Sequence, residues 1–127
     1  MAIDEICRVK SNAGVAEGYK VLVLDAPGLA GLLAPGQFVH VRIPKLEPSA
    51  LRRPFSVFDA EVVSGEVSIL YKSVGRGSAA LQRVLPGEEL SVLGPLGNGF
   101  PLKSKGVPLL VAGGFGVAPL YFLAKRI

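Results

Sequence analysis

Two short stretches of this 127-residue chain carry residue types that together suit a phosphate-bearing aromatic ligand. The first is Leu51-Arg52-Arg53-Pro54-Phe55-Ser56-Val57. Arg53 offers a planar fork of donors matched to a pyrophosphate, and Pro54 fixes φ so that Phe55 and Ser56 leave the turn in a set direction. The second is Gly75-Arg76-Gly77-Ser78, which precedes an amphipathic pattern at Leu81, Val84 and Leu85. Glycines ahead of a helix expose backbone N–H groups in a concave arrangement, and Ser78 suits the N-cap. Taken alone, the first stretch also reads as a strand edge with two solvated arginines. The second also reads as a strand-to-helix link whose glycines serve only φ.

The elements that must position these groups are strands. Half of the chain is apolar, Gly numbers 16, Pro numbers 10 and 19% of residues are charged. That composition favours short strands joined by tight turns over a helical bundle. Strands are predicted over residues 3–10, 19–25, 38–43, 55–60, 66–74 and 88–93, with turns at 11–14, 26–28, 34–37 and 64–65. Val39, Val41 and Ile43 form the apolar face of the third strand, and Val67, Ile69 and Tyr71 that of the fifth. A single helical turn is predicted over 29–33, a loop over 44–50, a helix over 79–85 and a glycine-rich loop over 94–101. Six strands and one short helix predict an all-β fold, a six-stranded antiparallel Greek-key barrel over residues 1–102.

Past Gly106 the pattern changes. Residues 107–112 form an apolar run of the buried parallel type, Gly113-Gly114-Phe115-Gly116-Val117-Ala118-Pro119 is a glycine turn, and 120–127 is helical in pattern. Strand, glycine turn and helix open an α/β nucleotide-binding unit, so 107–127 reads as the incomplete start of one. A single strand and helix leave apolar faces uncovered, and either the barrel or a second copy of the chain would have to cover them. The chain is therefore expected to be a piece of a longer reading frame or a natural truncation.

Other classes are disfavoured. The net charge is +4, but the basic residues are scattered, with Arg52-Arg53 and Lys125-Arg126 as adjacent pairs, which argues against nucleic acid as a partner. Cys7 is the lone cysteine and His40 the lone histidine, so no metal site is expected, and no four-thiolate set for an iron–sulfur cluster is present in the sequence. Asp4 and Glu5 stand where a secretory signal carries positive charge, so a cytoplasmic location is expected. Pro108, Gly113, Gly114, Gly116 and Pro119 interrupt the longest apolar stretch, which is not read as a membrane span.

Arg53-Pro54-Phe55-Ser56, then Gly75-Arg76-Gly77-Ser78, then the 113–119 turn, in that order, resemble the ferredoxin-NADP reductase superfamily. Within it, Leu51-Arg52-Arg53-Pro54, Val74-Gly75-Arg76-Gly77-Ser78 and Gly94-Pro95-Leu96-Gly97-Asn98-Gly99-Phe100 are similar to the electron-transfer subunits of type B dihydroorotate dehydrogenases. Sulfhydrogenase and NADH-ferredoxin reductase subunits are the rivals. The resemblance implies a flavin barrel followed by a pyridine-nucleotide domain, and FAD as the cofactor. Arg53 would contact the FAD pyrophosphate, Ser56 would hydrogen-bond near flavin N5, and Pro54 and Phe55 would belong to the same binding stretch. Gly75, Gly77 and Ser78 would cradle the phosphates from the opposite side. Leu70, Tyr71 and Lys72 would line the ribityl and adenosine part, and Gly113, Gly114 and Gly116 would form an incomplete NAD loop.

The same resemblance implies a flavin-dependent oxidoreductase in which no side chain need act as acid or nucleophile, because the flavin carries the chemistry. The intact relatives would add NAD(H), a [2Fe-2S] cluster whose ligands are absent from this sequence, and a dihydroorotate dehydrogenase catalytic subunit in a heterotetramer. Phe55 stands where the wider superfamily commonly has tyrosine. Two rival readings remain, a small basic barrel that binds single-stranded nucleic acid and a scaffold without cofactor.

Overall fold

Alternation builds the strands and leaves one face of each in the core. The computed structural model describes residues 1–44, 51–103 and 105–127. Its strands are β1 (Ile3–Ala16), β2 (Tyr19–Asp25), β3 (Phe38–Arg42), β4 (Arg53–Ser56), β5 (Asp59–Glu61), β6 (Glu66–Lys72) and β7 (Glu89–Leu96). Its helices are α1 (Pro27–Ala30), α2 (Arg76–Leu81) and α3 (Val117–Arg126), the last preceded by a 3₁₀ turn at Gly114–Gly116. Val39, Val41 and Ile43 are fully buried, as are Val67 and Ile69, so the expected faces of these two strands are the observed ones. The strands form a single antiparallel sheet in the order β4-β3-β7-β1-β2-β6-β5, with β4 and β5 at its edges.

The sheet has seven strands where six were expected, because the run at 55–60 changes partner midway. Val57 N–H donates to Gln37 O at 3.5 Å, and Phe58 N–H donates to Ser68 O at 2.8 Å. The chain thus leaves the β3 side at Val57 and joins the β6 side at Phe58. That hand-over divides one sequence strand into β4 and β5.

Other elements also differ from expectation. The predicted turn at 11–14 is strand: β1 continues to Ala16 through irregularities between Val9 and Ser11 and between Gly14 and Ala16. Asn12 and Gly14, which read as turn residues, pair in register with Leu22 and Lys20, and the irregularities fall on either side of them. The helical turn predicted at 29–33 lies earlier, at Pro27–Ala30. There the Glu5 carboxylate accepts the N–H groups of Gly28 and Leu29 at 3.2 and 2.9 Å. The helix predicted at 79–85 also starts earlier, at Arg76, and Leu85 is exposed while Leu81 and Val84 are buried. Most of the predicted loop at 44–50 falls outside the described residues.

Residues 107–112 are not a strand. Val107, Leu109 and Val111 are 95%, 86% and 79% exposed. A parallel strand needs hydrogen-bonded neighbours, and the described residues offer it none. The helix beyond it does find cover on its own barrel. Phe122 of α3 is fully buried in the core, the Tyr121 ring stacks on Phe58 at 4.5 Å, and Lys125 pairs with Asp59 at 2.8 Å and with Glu61. Among the described residues no helix is long and apolar enough to cross a membrane.

Candidate cofactor site

The site is a seam in the sheet. β4 and β6 are not ladder neighbours, although the chain that follows β4 pairs with β6 from Asp59 opposite Ser68 onward. On the other side of that junction the two strands part, and a pocket of about 310 Å³ opens between them. Pro54, Phe55 and Ser56 line one wall, and Leu70, Tyr71 and Lys72 the other. Gly116, Ala118 and Pro119 close one end. Adjacent strand residues normally face opposite ways, yet Phe55 and Ser56 both border this space because it lies along the edge of β4 rather than over one face.

Next to it lies a second pocket of about 250 Å³ that shares Pro54, Phe55, Val74 and Ser78 and adds Arg53 and residues 75–77. The two sequence motifs meet here: a Cβ built on Gly77 would stand 2.8 Å from Arg53 Nε. Ser78 is not the N-cap. Gly75 holds that position and Ser78 is the third helical residue. Its buried hydroxyl accepts the N–H groups of Val74 and Gly75 at 2.8 and 3.2 Å and so fixes the loop. The first intrahelical bond runs from Ala79 N–H to Gly75 O, so the N–H groups of Gly77 and Ser78 precede the helical ladder.

The neighbouring arginine has a different fate. Arg52 donates to Ser91 O at 3.1 Å, to Ser91 Oγ at 2.7 Å and to Asp4 Oδ2 at 3.0 Å, and Ser91 Oγ donates to Asp4 Oδ1 at 2.6 Å. It ties the start of β4 to β7 and β1 on the side away from the pocket. Arg53 is therefore the arginine at the seam.

The far wall rests on a buried phenol. Tyr71 is 2% exposed, its hydroxyl donates to Asn12 Oδ1 at 2.7 Å, and burial pushes that hydroxyl up to about 12. The Phe55 ring meets Tyr71 edge-on at 6.1 Å. Lys72 places its ammonium 5.5 Å from the Tyr19 ring. The three glycines of the 113–119 turn separate: Gly116 joins the seam pocket, Gly114 lies near the Tyr19 hydroxyl, and Gly113 has open space beside it. Asn12 was missed by sequence reasoning, which placed it in a turn.

The arrangement has an apolar slit between Phe55 and Leu70 at one end and a cation with backbone donors at the other. It fits a molecule with a flat ring and a phosphate chain, and the bare face of Gly77 is needed to seat Arg53. Tyr71 and Phe122 are buried, so they cannot form the exposed stacking surface that single-stranded nucleic acid requires. No cluster of metal-ligating side chains occurs among the described residues.

Comparison with known proteins places the chain in a family. The sequence matches the oxidoreductase FAD-binding domain family over residues 6–100. It is 42% identical over 122 residues to the dihydroorotate dehydrogenase B (NAD(+)) electron transfer subunit of Geobacillus thermodenitrificans (strain NG80-2), covering 94% of this chain and 48% of that protein. The solved NADH-dependent reduced ferredoxin-NADP oxidoreductase is similar with a TM-score of 0.86 at 31% identity, over 94% of this chain and 43% of that one. A cytochrome P450 reductase from Amycolatopsis shares the fold with a TM-score of 0.78 at 24% identity, over 98% of this chain and 38% of that one. The chain spans about half the length of the curated relatives it matches.

Proposed function

Because this chain belongs to the oxidoreductase FAD-binding domain family, we propose that the seam between β4 and β6 holds FAD in an electron-transfer subunit of the dihydroorotate dehydrogenase type. The observation that carries the placement is the packing of Arg53 against Gly77, which joins the two motifs into one clamp. Arg53 holds the pyrophosphate from one side, and the N–H groups of Gly77 and Ser78 hold it from the other. Each such charge-assisted bond contributes about 1.5–3 kcal/mol, enough in combination to retain the cofactor without a covalent link. Phe55 covers the ring, Leu70 and Tyr71 line the ribityl and adenosine part, and Ser56 donates its hydroxyl hydrogen bond near flavin N5. Pro54 sets the direction of this wall, and Lys72 lies toward the ribityl and adenosine part.

The flavin, when bound, accepts a hydride equivalent and releases single electrons. The chain's task is to orient it and leave one edge open. Gly116, at the end of the pocket, lies where a nicotinamide ring would approach, with Gly113 and Gly114 leading into that turn. In the whole protein, NAD(H) would exchange electrons with the flavin and a [2Fe-2S] centre outside this sequence would carry them to a catalytic subunit that oxidises dihydroorotate. The setting is cytoplasmic pyrimidine biosynthesis. Self-association would run through the exposed Val107, Leu109 and Val111, and sedimentation at several concentrations tests it.

The test of the central reading is the visible spectrum of the purified chain, followed by release and identification of the chromophore. FAD in stoichiometric amount is the expected result. A folded, colourless protein that takes up no added FAD ends the reading.

A further inference from the structure

The side chain of Asn12 uses all of its main hydrogen-bonding directions in one place. Its Nδ2 donates to Leu81 O at 2.9 Å and to Val84 O at 3.0 Å, and its Oδ1 accepts from Tyr71 at 2.7 Å. Two carbonyl partners require the amide nitrogen on their side, so the orientation of the amide is fixed and the phenol must be the donor. Leu81 is the last residue of α2, and Val84 lies in the turn that follows it. Gly77, at the start of the same helix, lies against Arg53. Arg53 shares β4 with Phe55, and Phe55 meets Tyr71 edge-on. The contacts form a closed circuit: Asn12, α2, Arg53, Phe55, Tyr71 and back to Asn12.

We propose that Asn12 is a positioning residue that sets the separation between the ring-binding and phosphate-binding halves of the seam. The proposal rests on the FAD reading above. A six-residue helix is about 9 Å long, so a tilt at its end moves the loop at its start. A ligand that spans both halves feels that movement, whereas a ligand that occupies only one does not. Asn12 lies in β1, touches neither pocket, and has no role in the family motifs described above.

The experiment compares FAD with ADP, which carries the pyrophosphate but no flavin, in wild type and in Asn12→Ala. Lys20 also donates to Gln82 O at 3.2 Å, so the helix end keeps a tether in the variant. FAD affinity, read by flavin fluorescence quenching in folded protein, should fall about 10-fold or more, while the ADP competition constant should change less than about 3-fold. Tyr71→Phe breaks the same circuit at one bond and keeps the ring. It should shift the visible absorption of bound FAD and weaken FAD more than ADP, and it carries the test if Asn12→Ala does not fold. Equal loss of FAD and ADP, or unchanged FAD affinity in either folded variant, overturns the proposal. A wild-type chain that binds no FAD overturns the cofactor reading itself, a separate outcome seen before any variant is made.

Discussion

The Arg53 side chain lies so close over Gly77 that a Cβ there would stand 2.8 Å from Nε, 3.0 Å from Cγ and 3.1 Å from Cδ. Those atoms belong to a flexible arm, so Gly77→Ala displaces the arm rather than the backbone. The variant should remain within about 1 kcal/mol of wild-type stability in urea, yet lose FAD affinity by about 10-fold or more. Loss of stability with unchanged affinity would show that the glycine serves packing alone.

Adjacent arginines should separate cleanly in a paired substitution. Arg53→Ala removes the proposed phosphate contact and should weaken FAD by about 10- to 100-fold with little change in unfolding midpoint. Arg52→Ala leaves Asp4 and Ser91 without their shared partner and should cost about 1.5–3 kcal/mol of stability. Its effect on FAD should be the smaller of the two. Isothermal titration and urea unfolding measure both quantities, and equal losses of affinity would reassign the phosphate contact.

Alkaline pH should unfold the protein early. Burial is the main cause that pushes Cys7 from 9.0 up to about 12, and burial likewise pushes Tyr71 from 10.0 up to about 12. Both groups hold protons in the native state that the unfolded chain releases. The stability they lend is therefore complete below their unfolded values and drains as pH rises toward the folded ones. Cys7 begins this loss near pH 9 and Tyr71 near pH 10. A fall on the order of 5 kcal/mol is expected by about pH 11.5. Urea midpoints across this range should show it, with Cys7→Ala removing the earlier part. A flat profile would mean that neither group is protected.

The last helix should be separable from the barrel. Phe122 is fully buried, and Phe122→Ala should cost about 3–5 kcal/mol of the docking of α3. Amide exchange in α3 should quicken ahead of exchange in β1 and β2. FAD affinity should also fall, since Ala118 and Pro119 close the pocket. Unchanged protection of α3 amides would place the helix's anchorage elsewhere, at Tyr121 and Lys125.

What was legible in the sequence was local. Val39, Val41 and Ile43 announce their face because a strand alternates by itself, and the motifs at Arg53 and at Gly75 to Ser78 stand out by residue type and lie together in the fold. What was not legible depends on distant partners. Arg53 is singled out in the sequence, but the tie of Arg52 to Asp4 and Ser91 depends on partners far along the chain. Asn12 reads as a turn residue until the bulges of β1 carry it under the end of α2. The break at Val57 and Phe58 arises because consecutive N–H groups find acceptors in different parts of the sheet, Gln37 O just before β3 and Ser68 O in β6. Ser78 follows two glycines at cap spacing, and the spacing does not say in which turn the helix begins. The run at 107–112 has strand composition but no neighbour among the described residues, and composition alone makes no ladder.

β4 is four residues long, pairs on one side with β3, and contains Pro54. Short edges and residues without an N–H are poor templates for an incoming strand from another molecule. The edge that borders the seam pocket is thereby ill-suited to capture a neighbour's backbone. On the proposed placement of the cofactor, the same four residues that border its entry also make a poor edge for strand-by-strand aggregation.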